Sequence, residues 1–156
     1  MTEIDEEYGD RMVRFMGRIM SDACIVQCAP KIGLLYIIGG SDMNTGQPGT
    51  KMTEINLDKD AGDDFDLSVE REPLPYPRRS ISAICIRNVI VCVSGVPDDT
   101  KTLAFDLDKL RWHELAKQSQ GDSRMVHCPG LTTIKNRFVY QITSTRVSYL
   151  DFDKLA

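Results

Sequence analysis

Few residues of this chain are suited to chemistry. The two histidines, His113 and His127, stand beside Trp112 and Cys128, and the five cysteines are Cys24, Cys28, Cys85, Cys92 and Cys128. Cys24-x-x-x-Cys28 puts two sulfurs on one face of a strand, and His127-Cys128 is the pair that could complete a tetrahedral zinc site with them. No second close pair of ligands accompanies them, and Cys and His inside apolar strands read as packed core. A Cys–His nucleophile meets the same objection. Asp58, Asp60, Asp63, Asp64 and Asp66 resemble a calcium loop only loosely, because the glycine and closing glutamate of an EF-hand are not in place. We read that stretch as a solvated connection. Gly46-Gln47-Pro48-Gly49 is turn chemistry rather than a phosphate cradle, and no nucleophile elbow occurs. The expectation is a protein that is not an enzyme and carries no metal or other cofactor.

Charge narrows the partners. Lys and Arg number 19 against 23 Asp and Glu, a net charge of −4. A general nucleic-acid binder needs a basic excess to displace counterions from phosphates, so no nucleic acid is expected. No apolar run approaches the roughly 18–20 residues needed to span a bilayer, which argues against a membrane role. The opening Met1-Thr2-Glu3-Ile4-Asp5-Glu6-Glu7 is acidic, unlike a secretory signal. The odd cysteine count, with the cysteines in apolar runs, predicts reduced, buried thiols and a cytoplasmic or nuclear setting.

Two segments must organise these residues. In residues 1–22 the spacing of Met12, Phe15, Met16, Ile19 and Met20 predicts one face of a helix over Arg11–Met20, with Arg11, Arg14 and Arg18 opposite and Asp10 as a cap. Such a helix could dock on a partner, and we expect it to pack on the protein itself. Residues 23–156 change period. Apolar runs expected as strands are Cys24–Cys28, Leu34–Ile38, Met52–Leu57, Phe65–Val69, Ser80–Ile86, Val89–Val93, Leu103–Leu107, Trp112–Leu115, Met125–Cys128, Phe138–Ile142 and Val147–Phe152. Ile84–Ile86 and Val89–Val93 are apolar on both faces and should lie in a middle layer.

The strands repeat. Gly33-Leu34-Leu35-Tyr36-Ile37-Ile38-Gly39-Gly40 aligns without a gap on Asn88-Val89-Ile90-Val91-Cys92-Val93-Ser94-Gly95, and a third copy begins at Asn136-Arg137-Phe138-Val139-Tyr140. Asn56-Leu57-Asp58-Lys59, Asp106-Leu107-Asp108-Lys109 and Asp151-Phe152-Asp153-Lys154 close the three copies, where Asp suits a tight turn. Small residues at 39–40 and 94–95 suit a crowded, positive-φ strand end, whereas Thr143-Ser144 in the third copy requires a different geometry.

This order of parts resembles the kelch repeat, a four-stranded propeller blade of roughly 50 residues in which a hydrophobic strand runs into a diglycine and a tryptophan follows. The second copy carries most of the pattern, from Pro77-Arg78-Arg79 through Ser94-Gly95 to Trp112, which would fill the wedge between blades while its N–H finds an acceptor. The resemblance implies an all-β partial propeller with blades at about 23–72, 78–116 and 123–156, the third incomplete. It also implies a non-enzymatic interaction module or scaffold binding a protein partner or self-associating through open edges. Binding would use the loops between second and third strands and between blades, Ser41–Lys51, Val96–Lys101, Arg71–Arg79 and Ala116–Arg124, with Arg78, Arg79 and Arg124 facing a partner or paired to Asp98 and Asp99. The alternatives are a fragment or relative of galactose-oxidase-type propeller enzymes, whose metal ligands are Tyr and His, for which Tyr36, Tyr140 and Tyr149 are present but two histidines are too few, and a degenerate protein without activity. Closed propellers have at least four blades, so about three leave open faces.

Overall fold

The computed structural model describes residues 21–28, 33–57, 68–95, 101–117, 129–143 and 146–155. The expected helix over Arg11–Met20 lies outside them. The fold is all-β. Among the described residues eleven strands form three antiparallel sheets, and the single helical element is a 3-10 turn, Phe152–Lys154. Sheet 1 holds β1 (Cys24–Gln27), β2 (Leu34–Ile38), β3 (Met52–Asn56) and β4 (Ser68–Glu70) in sequence order. Sheet 2 repeats the arrangement with β5 (Ser82–Ile86), β6 (Val89–Val93), β7 (Lys101–Asp106) and β8 (Arg111–Lys117). Sheet 3 holds β9 (Gly130–Ile134), β10 (Phe138–Ile142) and β11 (Val147–Asp151), with no fourth strand among the described residues. The first strands of the sheets are neighbours, β5 running beside both β1 and β9.

Alternation of side chains explains how the sheets pack. Val26, Tyr36, Ile38 and Met52 of sheet 1 meet Ile90, Cys92, Leu103 and Phe105 of sheet 2 in one buried cluster. Ile86, Val91 and Val93, on the opposite face of sheet 2, pack with Val139, Leu131 and Leu150 of sheet 3 in another. Sheet 2 is therefore the middle layer, as two-faced apolar strands require, and Ile90, Val91 and Cys92 are all fully buried. Each such side chain contributes roughly 1.5–3 kcal/mol by leaving water.

The strand ends follow the repeat. Gly39, Gly40, Ser94 and Gly95 all have positive φ, at 65°, 106°, 62° and 123°. Gly39 is required for space as well, since a Cβ there would lie 2.5 Å from the Arg78 carbonyl oxygen. Thr143 takes no left-handed conformation; its backbone N–H reaches Arg146 O at 2.9 Å and its hydroxyl accepts the Arg146 N–H at 3.0 Å. Asp106 Oδ1 accepts the backbone N–H groups of Asp108 and Lys109 in the turn between β7 and β8, and Asp151 Oδ1 accepts that of Asp153 as the cap of the 3-10 turn, while Asp58-Lys59 lies outside the described residues. Between β5 and β6, Arg87 and Asn88 both have positive φ, as a two-residue hairpin turn matched to strand twist demands.

Two expectations are corrected. Cys28 and Cys85 are joined in a disulfide, their Cα atoms 5.3 Å apart, instead of being reduced thiols. Among the described residues the first strand of sheet 3 is Gly130–Ile134; the expected strand Met125–Cys128 lies outside them. In the fourth strand of sheet 1 the described part is Ser68–Glu70, so it runs one residue past the expected end at Val69.

Candidate functional site

Register fixes which residues each end of the stack presents. Tyr140 lies opposite Thr132 and Tyr149, and Ile142 opposite Gly130 and Val147. Because Val139, Leu131 and Leu150 point at sheet 2, the alternate residues Ile134, Phe138, Tyr140, Ile142, Val147 and Tyr149 line the opposite face of sheet 3. Val147 and Tyr149 are 63% exposed and Ile142 47%, while Phe138 and Tyr140 are half-buried against their neighbours. Three rings form a connected group there, with centroids 6.2 Å apart for Phe138–Tyr140, 5.8 Å for Phe138–Tyr149 and 5.7 Å for Tyr140–Tyr149.

Charged groups hold this face in place from one end. Arg137 stacks on Phe138, 4.8 Å from the ring centroid, and grips both carboxylate oxygens of Asp151 at 2.8 and 2.7 Å. The Arg137 hydrogen bonds keep the Asp151 carboxyl below the ordinary aspartate range, helped by the Asp153 backbone N–H. Arg87 of the β5–β6 turn reaches across from sheet 2 to the Asn136 carbonyl and to Asp153 Oδ1 at 2.7 Å. The rings therefore stand on a fixed platform. A rigid cluster of aromatic and branched side chains with polar rims is what protein interfaces use as anchors. Among the described residues, β11 pairs only with β10, leaving its other edge without a ladder.

The residues singled out from the sequence lie elsewhere. Arg78 is 1% exposed and sits between sheets 1 and 2, donating to Lys101 O at 3.0 Å and Ser94 O at 3.4 Å. Its own backbone donates to Gly49 O and accepts from Gly40 N, both at 2.9 Å. Arg78 thus ties strand ends together instead of facing a partner. Arg79 is half-buried and donates to the Gly46 carbonyl at 3.4 Å, which brings the Arg71–Arg79 connection onto the Ser41–Lys51 loop as expected. Arg124, Asp98 and Asp99 lie outside the described residues. At the same end, Asp42 Oδ1 accepts the backbone N–H groups of Thr45 and Asn44, which hold its carboxyl below the usual range and fix the tip carrying exposed Met43.

Of the residues considered for metal chemistry, His127, Cys128 and the Asp58–Asp66 stretch lie outside the described residues, and the described ones do not converge. Tyr36 is buried in sheet 1, where burial and then Glu54 push its hydroxyl well above the usual phenol range. Tyr140 and Tyr149 lie on the far face of sheet 3, two interfaces away. Cys28 is spent in the disulfide, and no group of three His, Cys, Asp or Glu among the described residues could hold a metal ion. The sequence signal of the aromatic face is the period-two run Phe138, Tyr140, Ile142 opposite Val147 and Tyr149. No helix among the described residues is long and apolar enough to cross a membrane. Neither a family model nor a curated protein matches this chain.

Proposed function

We propose that the three sheets are blades of a partial kelch-type propeller and that the protein is a non-enzymatic interaction module. The adjacency of β1, β5 and β9, the face-to-face stacking of the sheets and the shared positive-φ strand ends support the propeller reading. One observation carries the functional reading: the outward face of sheet 3 presents Phe138, Tyr140, Ile142, Val147 and Tyr149 as a contiguous apolar surface. Contiguous exposed apolar surface marks an interaction site. Both internal interfaces are built from this same alternation, so the matching occupant is another sheet face, and a second copy of the chain supplies one. The test is sedimentation velocity of the wild type and of Tyr149→Glu. Wild-type protein should self-associate and the variant, which places a charge on the face at a 63% exposed and therefore fold-tolerant position, should not. A wild type that stays monomeric at every concentration overturns the reading.

A further inference from the structure

All four described cysteines lie on the two facing surfaces of one interface. Cys24 shares a face of β1 with Val26, and Cys28 follows at the strand's end. Cys85 lies opposite Ile90 and Cys92 opposite Ala83, so both project from the same side of sheet 2. The four pack into, or against, the single apolar cluster between sheets 1 and 2. Cys28 and Cys85 are bridged, whereas Cys24 and Cys92 are not in disulfides. No described cysteine lies in the second interface, between sheets 2 and 3, which Arg87 spans with its bonds to Asn136 and Asp153.

We propose that the Cys28–Cys85 bond is a redox-operated latch on the first interface alone. Bridged, it holds sheet 1 on sheet 2; as two thiols, it lets this interface open ahead of the rest of the molecule. Closing the latch removes two electrons and two protons from the thiol pair and passes them to a low-molecular-weight disulfide, which departs as two thiols. Opening it begins with a thiolate of a dithiol reductant. Cys85 is half-buried and Cys28 only 3% exposed, so attack falls on the Cys85 sulfur and Cys28 leaves as thiolate to take up a proton. The reductant's second thiol then attacks its own sulfur in the mixed disulfide, releasing Cys85 and closing the oxidised reductant into a ring.

Cys92 is a built-in reporter of this motion. It is fully buried in the latched interface, and burial, then the neighbouring Cys24, holds its thiol in the neutral, unreactive form. Alkylation of Cys92 therefore requires the interface to part. The experiment compares air-oxidised full-length protein with the same protein reduced by dithiothreitol. Pulsed iodoacetamide labelling of Cys92 and amide exchange in β10 of sheet 3 are both followed by peptide mass spectrometry. Reduction should accelerate Cys92 labelling by roughly 30-fold or more while β10 exchange changes by less than about twofold. Cys28→Ser/Cys85→Ser should behave like the reduced protein without any reductant; should that variant fail to fold, the reduced wild type decides alone. The proposal is overturned if air-oxidised protein yields no Cys28–Cys85-linked peptide. It is equally overturned if Cys92 labelling is insensitive to reduction, or if β10 exchange accelerates by the same factor as Cys92 labelling.

Discussion

Trp112 donates its indole N–H to the backbone carbonyl of Glu72 at 2.8 Å, and Glu72 Oε2 accepts the Trp112 backbone N–H at 2.9 Å. The ring also leans on Phe105, centroids 5.1 Å apart, at the margin of the cluster between sheets 1 and 2. One residue near the start of β8 thereby pins the connection that leaves sheet 1. Trp112→Phe keeps most of the packing and loses the indole bond, for an expected cost of about 1 kcal/mol. Trp112→Ala should cost about 2–3 kcal/mol, below the fully buried range because the ring is only partly buried. Denaturant midpoints of the two variants check the order; equal losses would mean that the ring does not pack.

Two glycines with nearly the same φ should respond differently to substitution. Gly39 (φ +65°) faces the Arg78 carbonyl, while nothing lies within 4 Å of the position a Cβ would take at Gly46 (φ +68°). Gly46→Ala should cost about 1 kcal/mol, the left-handed backbone penalty alone. Gly39→Ala should cost about 2 kcal/mol or more, because the Arg78 backbone must also move. Thermal unfolding of the pair separates backbone strain from steric contact.

The Asp151 carboxylate gives the stability of sheet 3 a direction in pH. Its folded-state pKa is depressed, first by the Arg137 hydrogen bonds, so its stabilising effect is present above the unfolded value of about 3.9 and lost as pH falls through the lower folded value. Asp151→Asn should be less stable than wild type at neutral pH, and the gap should narrow below about pH 4. Denaturant titrations at neutral and acidic pH measure it. A gap independent of pH would show that the ionised carboxylate is not what Arg137 needs.

The sequence showed the strands well where apolar residues crowd and less well where polar ones alternate. Val89–Val93 is two-faced and apolar, so both its extent and its central placement were legible. Gly130-Leu-Thr-Thr-Ile134 was not, because it opens on a glycine and reveals its inner face only through Leu131 and Thr133. Trp112 could be placed at a junction from its position in the repeat. Arg78 could not be recognised as buried, since its partners are backbone carbonyls of Ser94 and Lys101 that no residue type announces. The disulfide was missed because Cys28 and Cys85 look like core thiols one at a time. Their spacing of 57 is within two of the 55-residue offset between copies, which puts Cys28, just past β1, and Cys85 of β5 at neighbouring first strands.

The account rests on the outward face of sheet 3 being an interface, and backbone amide exchange across Phe138–Asp151 in dilute and concentrated protein tests this most directly. Exchange in β10 and β11 should slow with increasing concentration in the wild type, together with a rise in mass by light scattering, while Tyr149→Glu shows neither change. Concentration-independent exchange in these strands, with a monomer mass throughout, would contradict it.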